Sequence, residues 1–173
     1  LTITINNVNL FATSSNVSCN GSVDGSIVAT ATGGVFPYQY SLGAGLSQTS
    51  GTFSNLSAGS YYIDVTDANG CSSNQILIIT EPAPISTTES TVNVSCNGEG
   101  DGIAIVIPSG GTGALTINWN GMNPNTLPAG TYSYTVTDAN GCLFTSNVTI
   151  TEPPLLSISV DSTDETSALN DGS

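Results

Sequence analysis

The sequence predicts an all-β protein built from tandem immunoglobulin-like antiparallel β-sandwich repeats, with one disulfide in each repeat. Three observations carry that expectation. One ordered set of motifs is written twice along the 173 residues. Short alternating segments rich in Thr, Val, Ile and Tyr are bounded by Gly, Pro and Asn, the pattern of half-buried strands and tight turns. No segment carries an apolar stripe of helical period.

The repetition sets the boundaries. Val17-Ser18-Cys19-Asn20-Gly21 returns as Val94-Ser95-Cys96-Asn97-Gly98, each followed by Asp-Gly (Asp24-Gly25, Asp101-Gly102). Gly33-Gly34 returns as Gly110-Gly111, and Val65-Thr66-Asp67-Ala68-Asn69-Gly70-Cys71 returns as residues Val136 to Cys142. Each copy runs out through Ile-Thr-Glu-Pro, at Ile79 to Pro82 and Ile150 to Pro153. Cys96 follows Cys19 by 77 positions and Cys142 follows Cys71 by 71, so the second copy is six residues shorter. The alignment places that deletion between Leu42 and Tyr61, in a connection whose length is free to vary. A period near 70 residues is a domain array. The expected division is a lead-in strand at 1–14, a first repeat at 15–82, a second repeat with its lead-in strand at 83–153, and the start of a third at 154–173. Asn170 to Ser173 echo Val23 to Ser26, with Thr166 where that unit's cysteine would fall. With no initiator Met and no basic leader, the chain reads as an internal piece of something longer.

Within copy one the strands are expected at a lead-in segment, Ile27 to Thr32, Tyr38 to Leu42, a weak piece near Thr52, Tyr61 to Thr66 and Ile76 to Thr80. Copy two gives Ile103 to Ile107, Leu115 to Trp119, Tyr132 to Thr137 and Thr145 to Ile150. Alternation names the buried face: Tyr61, Ile63 and Val65 align with Tyr132, Tyr134 and Val136, and Tyr38, Tyr40 and Leu42 with Leu115, Ile117 and Trp119. Ala-Gly before Tyr61 and Tyr132 marks an entry like a tyrosine corner. Asp-Ala-Asn-Gly closes the last hairpin, since Asn and Gly tolerate the backbone a tight turn needs. Ile103, Ile105 and Ile107 break the pattern, falling on the face that carries Ser26, Val28 and Thr30 in copy one. Either both faces of that strand are covered, or the register shifts at a bulge, or an apolar stripe is exposed for a neighbour.

Composition excludes more than it suggests. There is no Lys, Arg or His, and 13 Asp and Glu leave a formal charge of −13. Without cations the chain has no means of pairing with nucleic-acid phosphate or an anionic membrane surface. Histidine-dependent triads, Schiff-base lysines, phosphate-loop lysines and histidine metal sites are ruled out with them. Lysine-dependent isopeptide staples are ruled out too, and trypsin-type proteases find no cleavage site. Hydrophobic residues at 38 % and charged residues at only 8 % argue for a folded chain with a neutral hydroxyl and amide surface. No apolar run is long enough to span a membrane as a helix.

Four cysteines, Cys19, Cys71, Cys96 and Cys142, suggest two disulfides and an oxidising location. The expected pairs are Cys19–Cys71 and Cys96–Cys142, each stapling one thin-cored unit, with bridges between repeats as the alternative. Asp24, Asp67, Asp101 and Asp138 recur in turns near the cysteines. They are candidate calcium ligands, although Asp in a turn more commonly caps backbone amides. No other cofactor is expected, and carboxylates that repeat with the fold argue against catalysis. Asn55-Leu56-Ser57 and Asn147-Val148-Thr149 have the form of glycosylation triplets but arise readily by chance here. Asp161-Ser162-Thr163 resembles a bacterial O-glycosylation acceptor.

The ordered set Val-Ser-Cys-Asn-Gly, Asp-Gly-Ser-Ile, Ala-Thr-Gly-Gly, Pro-Tyr-Gln-Tyr, Leu-Ser-Ala-Gly-Ser-Tyr, Val-Thr-Asp-Ala-Asn-Gly-Cys and Ile-Thr-Glu-Pro closely resembles the SprB repeat of Bacteroidetes gliding-motility adhesins. The resemblance covers roughly 15–82 and 92–153, and departs from the family at Gly113-Ala114 and at the deletion. It implies long cell-surface proteins, secreted by the type IX system, whose repeats form an extended filament for adhesion or gliding. Neighbouring repeats are then the expected partners, with surface polysaccharide, the substratum or other filament copies beyond them. A carbohydrate- or protein-binding module and a self-assembling fibre subunit are the alternatives.

Overall fold

The computed structural model describes residues 7–160. The expectations at 1–6 and at 161–173, among them the Asp161 triplet, Thr166 and the Asn170 echo, lie outside the described residues. The chain forms β1 (Asn9–Ser15), β2 (Gly25–Thr32), β3 (Gln39–Leu42), β4 (Thr52–Leu56), β5 (Gly59–Thr66) and β6 (Ser72–Ile79). The second copy forms β7 (Ser86–Val92), β8 (Ile103–Ser109), β9 (Thr116–Asn118), β10 (Gly130–Thr137) and β11 (Leu143–Ile150). Among the described residues four small antiparallel sheets result, in the orders β1-β2-β4, β3-β5-β6, β7-β8 and β11-β10-β9.

Each copy closes its own core between its two sheets. In the first, Ile27 and Ala29 of β2 meet Tyr40 of β3, Ile63 and Val65 of β5 and Ile79 of β6. In the second, Ala104, Tyr134, Val136, Val148 and Ile150 do the same work, with Leu127 joining them. The period-2 alternation along β5 and β10 therefore points its apolar members inward, Ile63, Val65, Tyr134 and Val136 being fully buried. Both tyrosine entries form: the Tyr61 hydroxyl donates to Ser57 O and that of Tyr132 to Pro128 O, each at 2.8 Å. The six-residue deletion removes a strand. Where Gly25 pairs with Leu56 of β4, the second copy keeps only the bridge of Gly102 to Leu127 and a bond from Ala104 N to Pro124 O (2.8 Å).

The two cores balance volume differently. Ile27 and Ile63 of the first correspond to Ala104 and Tyr134 of the second, a small residue opposite a large one. A buried phenol needs partners. Tyr134 finds Thr87 Oγ1 at 2.8 Å and the carboxylate of Glu89, which also accepts from Ser146 Oγ at 3.1 Å. The matching positions in the first copy are Leu10, Ala12 and Gln75, so the carboxylate and the threonine hydroxyl appear only in the unit that buries the phenol. Burial first, and the Glu89 carboxylate second, push the Tyr134 hydroxyl above its usual pKa.

Ile105 and Ile107 are exposed, at 50 % and 62 %, and the β7–β8 register runs unbroken from Val92↔Ile103 to Ser86↔Ser109. The stripe is thus neither covered on both faces nor shifted by a bulge. Among the described residues no helix crosses a membrane.

The disulfide expectation is corrected. One bridge forms, Cys19–Cys142, between the two copies, and Cys71 and Cys96 are free and exposed. The reason lies in strand direction. Val17 N bonds Thr80 O at 3.2 Å, which puts the Cys19 turn at the Ile79 end of β6, where Ile79 pairs with Gly59. Cys71 sits at the other end, in the hairpin beyond Thr66 and before Ser72. Eight residues of extended strand separate the two ends by about 25 Å, several times the reach of a disulfide. The same holds for Cys96, beside Val94 and its 3.2 Å bond to Thr151 O, and Cys142 in the opposite hairpin.

Candidate functional site at the joint between the units

The Cys19 turn of the first unit meets the last hairpin of the second. The two α-carbons of Cys19 and Cys142 lie 5.7 Å apart, ordinary disulfide spacing. Beside the bridge Asn140 Nδ2 donates to Ser18 O at 2.9 Å. Pro82, Pro84, Ile85, Leu143 and Phe144 line a cleft of about 240 Å³ against the sulfurs.

Each cysteine at the joint is held by a carboxylate. Asp138 is buried and accepts from Asn140 N and Cys142 N with one oxygen, 2.9 Å each, and from Thr112 N with the other at 2.8 Å. Asp24 accepts Ser18 N at 3.0 Å, fixing the backbone just ahead of Cys19. The unpaired cysteines have the same supports. Asp67 accepts Asn69 N, Cys71 N and Val35 N, all at 2.9 Å, and Asp101 accepts Ser95 N at 3.0 Å. The four candidate calcium ligands therefore each fix the backbone at or beside one cysteine. Among the described residues no group of three or more Cys, Asp or Glu gathers to hold a metal ion.

Gly-Gly serves this arrangement. Gly34 has φ +61°, and a Cβ there would stand 2.6 Å from the Asp67 carboxylate, so only glycine lets the loop close over that acid. Gly111 does likewise over Asp138, at 3.0 Å.

All four carboxyl groups are held below their ordinary value of 3.8. For Asp67 the Val35 amide is the main cause, and the hairpin amides add to it against a burial cost. For Asp138 burial is the largest influence and pushes upward, but the amides of Cys142, Thr112, Asn140 and Gly141 together outweigh it. Asp24 and Asp101 owe theirs to Ser18 and Ser95.

The linker is tied as well. Asn20 Nδ2 donates to Pro82 O at 3.1 Å, Gly21 N to Glu81 Oε2 at 2.7 Å, and Thr80 N to Asn16 Oδ1 at 2.9 Å. The second unit repeats all three with Asn97 to Pro153, Gly98 to Glu152 and Thr151 to Asn93. The chain thus leaves each unit strapped to its cysteine turn. Sequence reasoning treated the Cys-Asn-Gly and Thr-Glu-Pro motifs separately; their joint recurrence was the available signal that they touch.

Chemically, the joint is a covalent bond flanked by hydrogen bonds, with carboxylates spent on backbone amides.

The family model described as the SprB repeat matches residues 11–46 and 88–124. Each match starts inside the first strand of a unit and ends beyond its third. The chain contains two repeats of the SprB family, a non-catalytic adhesin repeat that occurs in secreted cell-surface proteins and is typical of large gliding-motility adhesins. No curated protein matches the chain.

Proposed function

We propose that these two SprB repeats are stalk units of a large secreted cell-surface adhesin, whose work is reach and resistance to tension. The Cys19–Cys142 bridge carries this reading. Tension entering ahead of Cys19 passes through sulfur to Cys142, so the 123 positions of chain between them are relieved of load. Among the described residues, β1 before the bridge and β11 after it are the strands that remain in the force path. The strapped exits at Glu81-Pro82 and Glu152-Pro153 add stiffness, because the residue before proline is confined to extended backbone. The strand orders β1-β2-β4 and β3-β5-β6, with both tyrosine entries, support an immunoglobulin-like sandwich for the first unit. Thinly spread negative charge keeps neighbouring filaments soluble and apart, and the absence of Lys and Arg removes trypsin-type cleavage sites.

Single-molecule extension of the 173-residue chain, pulled from its ends, tests the reading. Reduction should lengthen the fully unfolded chain by about 430 Å, since 123 residues each add about 3.5 Å. Equal unfolded lengths with and without reductant would remove the basis for a shielded stalk.

A further inference from the structure

We propose that Cys71 and Cys96 are the two open ends of a head-to-tail covalent ladder, in which the first cysteine of each repeat bonds the second cysteine of the next. The partner is another repeat of this kind, and a second copy of this chain supplies one. The inference rests on the observed Cys19–Cys142 connection and stands whether or not the parent protein is an adhesin.

Repetition with unchanged supports carries it. Cys96 occupies the place of Cys19: Asp101 holds Ser95 N at 3.0 Å as Asp24 holds Ser18 N, and Asn97 and Gly98 strap the exit as Asn20 and Gly21 do. Cys71 occupies the place of Cys142: Asp67 accepts its amide at 2.9 Å as Asp138 accepts that of Cys142. Asn69 stands where Asn140 reaches across to Ser18 O, and Ser95 O is the matching acceptor at the other open end. Each half of the joint is therefore built twice, and each spare half presents an exposed thiol.

Direction forbids closure within the chain. The Cys19 turn and the Cys71 hairpin occupy opposite ends of the first unit, and the Cys19 end abuts the second unit. Cys71 consequently faces away from the second unit, and by the same geometry Cys96 faces away from the first. Thr166 stands at a first-type position, whereas Cys96 takes a second-type cysteine, so that residue leaves the pairing rule untouched.

The bond forms by thiol–disulfide exchange. The Cys96 thiolate attacks a disulfide oxidant such as oxidised glutathione, expelling one thiolate and forming a mixed disulfide. The Cys71 thiolate of the neighbour then attacks the Cys96 sulfur and expels the second. Two protons and two electrons leave the protein thiols, and the oxidant ends as two thiols.

The test uses the full chain and its Cys71→Ser and Cys96→Ser variants in a glutathione redox buffer. Mixing the two variants should give disulfide dimers about fivefold faster than either alone, the worth of one matched hydrogen bond at the joint. The unaltered chain should grow to trimers and beyond. Cleavage after glutamate, which spares the Glu81-Pro82 and Glu152-Pro153 bonds, should then yield peptide 90–99 joined to the linked pair 1–89 and 100–165. Equal rates for mixed and separate variants, a Cys71–Cys96 bond inside one chain, or no growth at all would each overturn the ladder.

Discussion

Replacing Cys19 and Cys142 by serine together leaves neither one to re-pair with Cys71 or Cys96 and isolates what the crosslink contributes. Its sequence separation is 123. For a loop of that length the chain-entropy relation gives about 5 kcal/mol at 25 °C. That amount is shared, because unfolding one unit frees only part of the loop while the other stays folded. Urea slopes for units of this size are about 1 kcal/mol/M, so each midpoint should fall by about 2–3 M if the loss divides evenly. Trp119 is the sole tryptophan and packs 5.1 Å from Tyr134, centroid to centroid, so its fluorescence reports the second unit separately. Far-ultraviolet circular dichroism follows both. Cleavage before aspartate gives an independent check on the connection itself. The oxidised protein should yield peptide 1–23 joined to 138–160, with 67–100 left apart. Coincident midpoints for the oxidised chain and the double variant, or 1–23 joined to 67–100, would refute the reasoning.

Two further outcomes follow from the cores and the carboxylates. Tyr134→Ile should cost about 2–4 kcal/mol by cavity formation and Ala104→Ile about 1–3 kcal/mol by overpacking. Combined, the pair recreates the Ile27–Ile63 arrangement of the first unit. A double-mutant cycle in urea should therefore show favourable coupling of about 1–2 kcal/mol, and strict additivity would contradict the volume exchange. The second outcome concerns acid. Asp24, Asp67, Asp101 and Asp138 have folded pKa values below 3.8, so their stabilisation is present above 3.8 and drains away as pH falls through the lower folded values. Relief of the −13 net charge works in the opposite direction on approach to the pI of about 4.1. Thermal midpoints should accordingly hold to about pH 4 and fall below it, and Asp67→Asn with Asp138→Asn should flatten that fall. A midpoint that rises steadily below 3.8 in the unaltered chain would count against the carboxylate contacts.

Much of the strand layout was legible because alternation is a strong local signal. Tyr61, Ile63 and Val65 declare their buried face by period alone, and Ala-Gly-Ser-Tyr declares the phenol that bonds Ser57 O. The loss of β4 from the second unit was visible as a six-residue deletion, although only pairing shows that Leu127 keeps its place through one bridge. The Tyr134, Glu89 and Thr87 cluster was not legible. Glu89 and Thr87 lie 45 and 47 positions from Tyr134, and nothing local marks a phenol as facing a carboxylate. The exposed Ile105 and Ile107 stripe stayed open for a similar reason, since an apolar run reads alike whether its second face is covered or bare.

The cysteines show where periodicity stops informing. A repeat identifies Cys19 with Cys96 and Cys71 with Cys142, but it is equally compatible with a bond inside each unit and a bond between successive units, because both choices respect the period. Strand polarity breaks the tie. The first cysteine follows the lead-in strand at the end where the chain leaves the unit, and the second caps the hairpin at the other end. An internal bridge would then have to cross the length of β5. A carboxylate fixes the backbone on each side of the bridge, Asp24 through Ser18 N and Asp138 through Cys142 N. A unit whose two cysteines are held at opposite ends is shaped for bonds to its neighbours. Its stability as an isolated module then rests on cores such as Ile27 with Ile63 and Tyr134 with Ala104, while the Cys19–Cys142 bond joins one unit to the other.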